Sequence, residues 1–265
     1  MHRYLAVRPP AAEPPAGETR QLNLLCFHHA GAGAMTFAGW QRRIGPDVKV
    51  LPVRLPGRES RLREGRITEA ARLVEELEHD LGPLLESPYA FYGHSLGALV
   101  AYRFALHRAR TGRRLPHMLL VGACAAPQLP SALLDATRAP GLSDEQLIDS
   151  LNDEESMPEA LLSRPEWLSM TLDTLRADLQ LARSLRSAPI TALPCAVKAF
   201  AGIEDRMVSS ADVQAWERCT TAGFALQSVP GAHFFVRGHD APHAVGEALR
   251  ETAPHTGSPL SPAVG

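Results

Sequence analysis

The chain lacks several features that would define its class at once. No apolar run approaches the roughly 20 residues that a membrane-spanning helix needs, and no apolar segment follows a basic stretch near the first residue. Neither sign of charge is in excess, because 27 Lys and Arg face 29 Asp and Glu, for a formal net charge of −2. Such a balance offers no general attraction to nucleic acid or to an anionic membrane. We therefore expect a cytoplasmic protein that binds neither.

Cysteine is also scarce. The four residues (Cys26, Cys124, Cys195 and Cys219) show neither the CxxC spacing nor the Cys/His spacing of metal sites. Three of them lie in apolar, strand-like stretches, and this setting indicates small buried hydrophobes in a reducing compartment. We therefore assign the cysteines to the core.

Apolar side chains are plentiful enough for one large core, since 45% of the 265 residues are hydrophobic and 21% are charged. No internal repeat divides the chain. Residues 1–21 carry four prolines among alanines and charges and have no apolar period, and residues 252–265 are similar. We expect loose tails at 1–21 and 252–265 and one domain over 22–251.

Short apolar runs alternate with amphipathic runs through this domain. Helical spacing of apolar residues predicts helices over Ile67–Leu81 and directly after Ser95. The apolar runs predict strands at Asn23–Phe27, Lys49–Val53, Tyr89–Tyr92, His117–Gly122, Ala196–Ala201 and Phe224–Val229. Strands separated by helices favour an α/β fold with a mainly parallel sheet and helices on both of its faces.

The interval between the fourth and fifth predicted strands is too long for one crossover. Ser143 is predicted to cap a helix there together with Gln146, and a second amphipathic run extends over residues 167–181. We interpret residues 127–190 as a helical lid over the mouth of a site, where insertions into open α/β sheets tend to lie. An ordinary helical insertion is the alternative.

The stretch Gly93-His94-Ser95-Leu96-Gly97 stands between a predicted strand and a predicted helix. In so tight a turn the serine is strained and its hydroxyl is exposed at the sheet edge, while the two glycines keep helix and strand from clashing. The pattern GxSxG alone is weak evidence for a nucleophile. The predicted strand before it and the predicted helix after it strengthen the assignment. Ser95 is the predicted nucleophile, and a turn without chemistry is the alternative.

A serine nucleophile needs a base, and the base needs a group that orients it. We select His233, in the loop after the last strand, over the competing histidines His28, His29, His94, His239 and His243. Asp205 follows a glycine turn after the fifth strand and is the predicted orienting carboxylate, with Glu204 and Asp212 as rivals. The chain order Ser, Asp, His is that of the α/β-hydrolase fold.

The oxyanion that forms in such a reaction needs backbone N–H donors. Leu96, directly after Ser95, is predicted to supply one. The loop after the first strand is rich in small residues that permit close approach, and Ala30 is the candidate for the second donor. A tight turn made for packing alone is the alternative for this loop.

Six segments carry a specific resemblance through nearly all of residues 22–251. They are FHHAGAGA (27–34), RLPGRE (54–59), YGHSLGAL (92–99), LRADL (175–179), AGIEDRMV (201–208) and PGAHFF (230–235). In this order they resemble the type II thioesterases, free-standing α/β hydrolases that accompany modular polyketide and non-ribosomal peptide synthases.

The resemblance implies a triad of Ser95, Asp205 and His233, an oxyanion hole near Ala30 and Leu96, and a lid carrying the LRADL segment. It implies release of stalled or wrong acyl groups from the phosphopantetheine arm of acyl or peptidyl carrier proteins, and activity on small acyl thioesters. No metal or organic cofactor is expected, and we expect a monomer. The rivals are a chain-length-setting thioesterase of fatty-acid synthesis and a catalytically idle fold that binds carrier proteins.

The chain departs from the family pattern in three places. His28 replaces the usual proline, and Ala32 replaces the second residue of a usual glycine pair, from which we expect a reshaped oxyanion loop. Glu155-Ser156-Met157 stands where the family tends to carry glycines, and this bears on the mobility of the lid.

A basic cluster follows the second predicted strand. One interpretation is a solvated loop that pairs with Glu59 and Glu64, and the other is contact with the acidic surface of a carrier protein or with the phosphate of its arm. The cluster consists of Arg54, Arg58, Arg61, Arg63 and Arg66.

Overall fold

The sheet is parallel throughout the part of the chain that the structure describes. This computed structural model describes residues 2–7, 21–138, 142–151 and 164–251. Within those ranges six strands run in the order β2-β1-β3-β4-β5-β6, and each neighbouring pair is parallel. They are β1 (Leu22–Phe27), β2 (Val48–Pro52), β3 (Tyr89–His94), β4 (Met118–Gly122), β5 (Ala196–Gly202) and β6 (Phe224–Val229). The predicted parallel sheet is confirmed.

Helices cover both faces of the sheet, as predicted. On one face lie α1 (Trp40–Ile44) and α8 (Asp240–Glu251). The other face carries α2 (Ala70–Leu81), α3 (Leu96–Arg110), α4 (Ala132–Ala136), α5 (Asp144–Leu151), α6 (Pro165–Ser187) and α7 (Ser210–Gln214). Short 3-10 turns occupy Ala34–Phe37, Glu59–Arg61, Gly82–Glu86, Ala215–Cys219 and Phe235–Arg237. None of these helices is both long and apolar enough to cross a bilayer.

The central strands β3 and β4 are buried over their whole length, and burial on both faces favours continuous apolar runs. In β3, Tyr89 and Phe91 belong to the core beneath α2 and α3, whereas Ala90 and Tyr92 belong to the core beneath α1 and α8. Side chains of a strand point alternately to opposite faces, so one short run fills two cores. This double burial is why these segments read as continuous apolar runs.

The carboxyl ends of the strands meet at one edge of the sheet. The register pairs Phe27 of β1 with Gly93 of β3, and Gly202 of β5 with Val229 of β6. The loops that follow these strands therefore emerge side by side. They are the loops in which the sequence places its candidate site residues.

The insertion between β4 and β5 is built of α4, α5 and α6. The predicted cap is confirmed, because the side chains and backbone N–H groups of Ser143 and Gln146 bond reciprocally at 2.9 and 3.2 Å. In α6, Leu175 and Leu179 are buried in the core, whereas Trp167 near its start is 56% exposed. The glycine-replacing segment 155–157 lies outside the described residues.

Residues 2–7 correct the prediction of a loose tail over 1–21. Tyr4 is fully buried, its hydroxyl donates to Glu76 at 2.9 Å, and its backbone N–H donates to Asp80 at 3.1 Å. Leu5 forms an antiparallel bridge with Val53 at the end of β2. One buried pair of residues creates no apolar period, so the sequence pattern could not reveal it. Residues 8–20 and 252–265 lie outside the described ranges.

Candidate active site

The turn between β3 and α3 holds Ser95 in a strained conformation. Its φ of 53° and ψ of −115° lie outside the regions that serine ordinarily adopts. A Cβ on Gly93 would overlap the carbonyl of Gly97, and a Cβ on Gly97 would overlap the carbonyl of Phe27. Only glycine fits at both positions, as the sequence pattern predicted. The surrounding structure therefore maintains the strain at Ser95.

His233 and Asp205 form a buried pair beside this turn. The ring Nδ1 lies 2.9 Å from Asp205 Oδ2, and the side chains are 5% and 1% exposed. The other carboxylate oxygen, Oδ1, accepts from the backbone N–H groups of Met207 and Val208 at 2.8 and 3.0 Å. Because a carboxylate can only accept, Nδ1 carries the proton and donates it to Asp205. Nε2 of His233 is then the basic nitrogen.

His94 lies behind His233 and is not an alternative base. Its Nε2 donates to the backbone carbonyl of His233 at 2.7 Å, and its Nδ1 accepts from the hydroxyl of Tyr92 at 3.1 Å. Complete burial holds the pKa of His94 well below its ordinary value. A neutral ring with both nitrogens occupied supports the loop of His233. Sequence reasoning missed this contact, since the two residues are 139 positions apart.

The other competitors lie in different settings. His239 and His243 are exposed at the start of α8, with ring centroids 4.6 Å apart. Glu204 is exposed, and Asp212 caps α7 by accepting from the backbone N–H of Ser209 at 3.2 Å. Of the candidate carboxylates, Asp205 is the one that contacts His233.

The loop after β1 is held by hydrogen bonds to its backbone. His28 Nδ1 donates to the carbonyl of His29 at 2.9 Å, and His29 Nδ1 donates to the carbonyl of Ala30 at 3.0 Å. The N–H of Gly31 donates to Asp178 Oδ2 at 2.8 Å. Burial lowers the pKa of both histidines to about 3. Both rings are therefore neutral at neutral pH, and each anchors one peptide of the loop.

Ala32 does not strain this loop. Its N–H donates to the carbonyl of His29 at 3.3 Å, and Arg58 donates to its carbonyl at 2.9 Å. Positive φ among non-glycine residues of the described chain occurs at Glu59, Ser95 and Ala123, so Ala32 has an ordinary backbone conformation. Alanine is therefore accommodated at this position without backbone strain, and a reshaped loop stays a prediction.

A cavity of about 500 Å³ brings the candidate residues together. Ser95, His233, Ala30 and Leu96 all line it, and Asp205 lies behind His233. Most of its remaining wall is apolar and comes from α3, α4, α6 and the loops after β4 and β5, including Leu99, Leu133, Leu134, Leu179, Ala182 and Met207. The insertion thus roofs the cavity. Such a wall suits an apolar ligand.

Cys124 also lines this cavity. Burial raises the pKa of its thiol to about 12, so it stays protonated at neutral pH. A protonated thiol is a poor nucleophile, and Ser95 is the better candidate. The described residues contain no group of three His, Cys, Asp or Glu side chains arranged to hold a metal ion.

The basic cluster after β2 is mostly engaged within the protein. Arg58 and Arg61 are only 7% and 5% exposed. Arg58 pairs with Asp178 at 2.7 Å, and Arg61 pairs with Glu64 at 2.7 Å while lying 4.2 Å above the ring of Tyr4. Burial and internal pairing of Arg58 and Arg61 therefore favour a structural role for these two residues, and docking by the cluster stays a prediction.

A nucleophile turn after a central parallel strand, with the histidine and the carboxylate in loops after later strands, defines the α/β-hydrolase class. The family model described as "Thioesterase domain" matches residues 22–252. The chain belongs to the thioesterase family.

Three similar proteins are informative. The gramicidin S biosynthesis protein GrsT of Aneurinibacillus migulanus is 34% identical over 216 residues, which are 82% of this chain and 83% of that protein. The solved RedJ thioesterase of the prodiginine pathway in Streptomyces coelicolor is 34% identical, with a TM-score of 0.76 over 93% of this chain and 96% of that one. The type II thioesterase BorB of the borrelidin cluster is 28% identical, with a TM-score of 0.76 over 94% and 97% of the two chains.

Proposed function

We propose that the protein is an editing thioesterase of polyketide or non-ribosomal peptide synthesis, in which Ser95, His233 and Asp205 form the catalytic triad. It hydrolyses acyl groups from the phosphopantetheine arm of acyl or peptidyl carrier proteins. One observation carries the proposal: a strained serine and a carboxylate-bound histidine line the same apolar cavity. The biosynthetic roles printed for GrsT, RedJ and BorB support the substrate class.

In the first half of the reaction the acyl group moves to the enzyme. Ser95 Oγ attacks the thioester carbonyl while Nε2 of His233 takes the hydroxyl proton. The tetrahedral intermediate collapses, the carbon–sulfur bond breaks, and the departing pantetheine sulfur receives that proton from Nε2. Asp205 keeps the ring in the required tautomer and stabilises the imidazolium.

Water repeats these steps in the second half. It attacks the acyl-serine carbonyl and gives a proton to Nε2 of His233, and the collapse returns that proton to Ser95 Oγ. The acid product leaves. Neither half uses a metal or an organic cofactor of the enzyme, because the phosphopantetheine arrives with the substrate.

The oxyanion of both intermediates is placed at the backbone N–H groups of Ala30 and Leu96. Leu96 begins α3, so its N–H is at a helix N-terminus, where a negative charge is stabilised. In a trans peptide N–H and C=O point in opposite directions, and the carbonyl of His29 points at the ring of His28. The N–H of Ala30 therefore points away from that ring. One such donor is typically worth about 3 kcal/mol, roughly a hundredfold in rate.

The test compares Ser95→Ala with Ser187→Ala, an exposed serine at the end of α6. Purified proteins are assayed on acyl-loaded carrier protein and are treated with a fluorophosphonate probe. We expect the wild type and Ser187→Ala to hydrolyse the thioester and to take up the probe, and Ser95→Ala to do neither. Hydrolysis by Ser95→Ala at the wild-type rate would exclude Ser95 as the nucleophile. A wild-type protein that neither hydrolyses the thioester nor takes up the probe would favour the idle, carrier-binding alternative, because the probe reacts only with an activated serine.

Monomeric state and cytoplasmic location remain predictions. Size-exclusion chromatography with light scattering tests the first of them.

A steep optimum at one acyl length would favour the fatty-acid alternative over editing, which needs broad acceptance of acyl groups.

A further inference from the structure

We propose that Asp178 of α6 and Arg58 of the β2 loop are positioning residues, which hold the oxyanion loop in its working conformation. Through these two residues, the packing of α6 against the oxyanion loop affects the rate of acyl transfer. The inference rests on the proposed function, because it concerns the donor assigned to Ala30.

The two side chains form a buried, bidentate ion pair. Arg58 donates to Asp178 Oδ1 at 2.7 Å and to Oδ2 at 2.8 Å, and the side chains are 8% and 1% exposed. Bidentate guanidinium–carboxylate pairs have a fixed geometry, so neither group can rotate without losing a bond. The two residues are 120 positions apart, and only the folded chain brings them together.

The pair forms hydrogen bonds with the oxyanion loop on both sides of Gly31. Asp178 Oδ2 accepts from the N–H of Gly31 at 2.8 Å, and Arg58 donates to the carbonyl of Ala32 at 2.9 Å. Gly31 has a φ of +73°, and a Cβ there would lie 3.7 Å from Leu175. Leu175 and Asp178 are three positions apart on α6, so one face of the helix covers the turn. The loop is therefore held against α6 by these contacts.

The peptide between Ala30 and Gly31 is fixed at both of its ends. Its carbonyl accepts from His29 Nδ1 at 3.0 Å, and its N–H donates to Asp178 at 2.8 Å. Without Asp178, one end of that peptide is released and the buried guanidinium of Arg58 loses its anion. Rotation of the peptide changes the backbone angles of Ala30, whose N–H is the proposed oxyanion donor.

A structural role and a positioning role for the pair predict different effects of replacing it. Replacing a buried ion pair by apolar side chains of similar volume is often neutral or stabilising. A purely structural pair would therefore be replaceable by such side chains without loss of rate. A pair that orients the loop would not be, because apolar side chains offer nothing to the N–H of Gly31 or to the carbonyl of Ala32.

The test uses the double variant Asp178→Leu/Arg58→Met, which removes both charges and leaves neither partner alone. Its control is Glu78→Leu/Arg108→Met, which removes the pair joining α2 to α3 at 2.8 Å, in which Arg108 is fully buried and Glu78 is 20% exposed. Three quantities are measured on the full chain: Tm, kcat and KM on a short acyl-thiol substrate, and inhibition by an alkyl trifluoromethyl ketone. That inhibitor forms a tetrahedral adduct with the serine and places an oxyanion in the hole.

In the Asp178→Leu/Arg58→Met variant we expect kcat to fall about 10- to 100-fold. The upper limit is the rate loss that removal of one oxyanion donor typically causes. We expect the ketone to bind more weakly by a similar factor while KM changes less than about twofold, because ground-state binding makes little use of the hole. The control should keep kcat and the inhibition constant. Wild-type kcat and inhibition in the Asp178→Leu/Arg58→Met variant would overturn the proposal, whatever its Tm.

Asp178→Asn provides a second measurement if the double variant does not fold. Its amide keeps the size of the side chain but accepts through one oxygen instead of two. A fall of about tenfold in kcat with unchanged KM is expected, and an unchanged kcat would overturn the proposal. A wild-type chain without thioesterase activity would instead remove the proposed function, so the two failures are distinguishable.

Discussion

Asp205→Asn should reverse the tautomer of His233. In the wild type, Asp205 Oδ1 accepts from the N–H groups of Met207 and Val208 at 2.8 and 3.0 Å. These two donors require an oxygen at that position in the variant as well. The amide nitrogen of the introduced asparagine must then occupy the position of Oδ2, 2.9 Å from His233 Nδ1.

An amide nitrogen donates, so Nδ1 would become the acceptor and the proton would move to Nε2. Nε2 could then no longer accept the proton of Ser95. Loss of the correct tautomer in serine hydrolases costs about 10⁴-fold in kcat, which corresponds to about 5.5 kcal/mol. We expect a loss of that order with the fold intact, because the two hydrogen bonds to Met207 and Val208 are retained.

The assay is steady-state hydrolysis of a short acyl-thiol substrate, with circular dichroism as the check on folding. Glu204→Gln is the matched control, since this neighbouring carboxylate is exposed and should leave kcat unchanged. A folded Asp205→Asn variant within about tenfold of the wild-type rate would refute the reasoning, since a wrong tautomer costs far more. A large loss in Glu204→Gln instead would transfer the orienting role to Glu204.

Two further predictions concern stability. Burial lowers the pKa of His28 and His29 to about 3, from an ordinary 6.5, so the unfolded chain binds more protons below about pH 6.5 and stability falls as the pH decreases. Urea titrations should show a loss of about 2 kcal/mol per histidine at pH 5, and an unchanged pH slope in His28→Gln would contradict this. Gly97→Ala should lower the free energy of unfolding by about 2–3 kcal/mol, since its Cβ overlaps the carbonyl of Phe27. The control Gly65→Ala, with nothing within 4 Å of its Cβ, should stay within about 0.5 kcal/mol, and equal losses in both variants would contradict the packing argument.

Most of the sheet could be predicted because its determinants are local. An apolar run buried on both faces marks a strand wherever it lies, so β1 was predicted at 23–27 and observed at 22–27. The Ser95 turn is also local, since the small residues that it needs stand within five positions. His233 and Asp205 could be placed because parallel strands bring their carboxyl ends to one edge.

What could not be predicted depends on contacts between distant parts of the chain. His94 contacts His233 and Arg58 contacts Asp178. Nothing in the sequence near His94 or Arg58 indicates these partners. Tyr4 is buried although its neighbours form no apolar period. Arg58 illustrates the difficulty most clearly, because a basic cluster looks the same in sequence whether its members face solvent or a buried carboxylate.

The central claim is that Ser95 hydrolyses carrier-bound thioesters of varied acyl groups, as an editing enzyme must. One carrier protein loaded in turn with short, branched and long acyl groups, and assayed with the wild type and with Ser95→Ala, tests it most directly. We predict release of all three kinds of acyl group by the wild type and of none by Ser95→Ala. Release of only one chain length, or equal release by the variant, would contradict it.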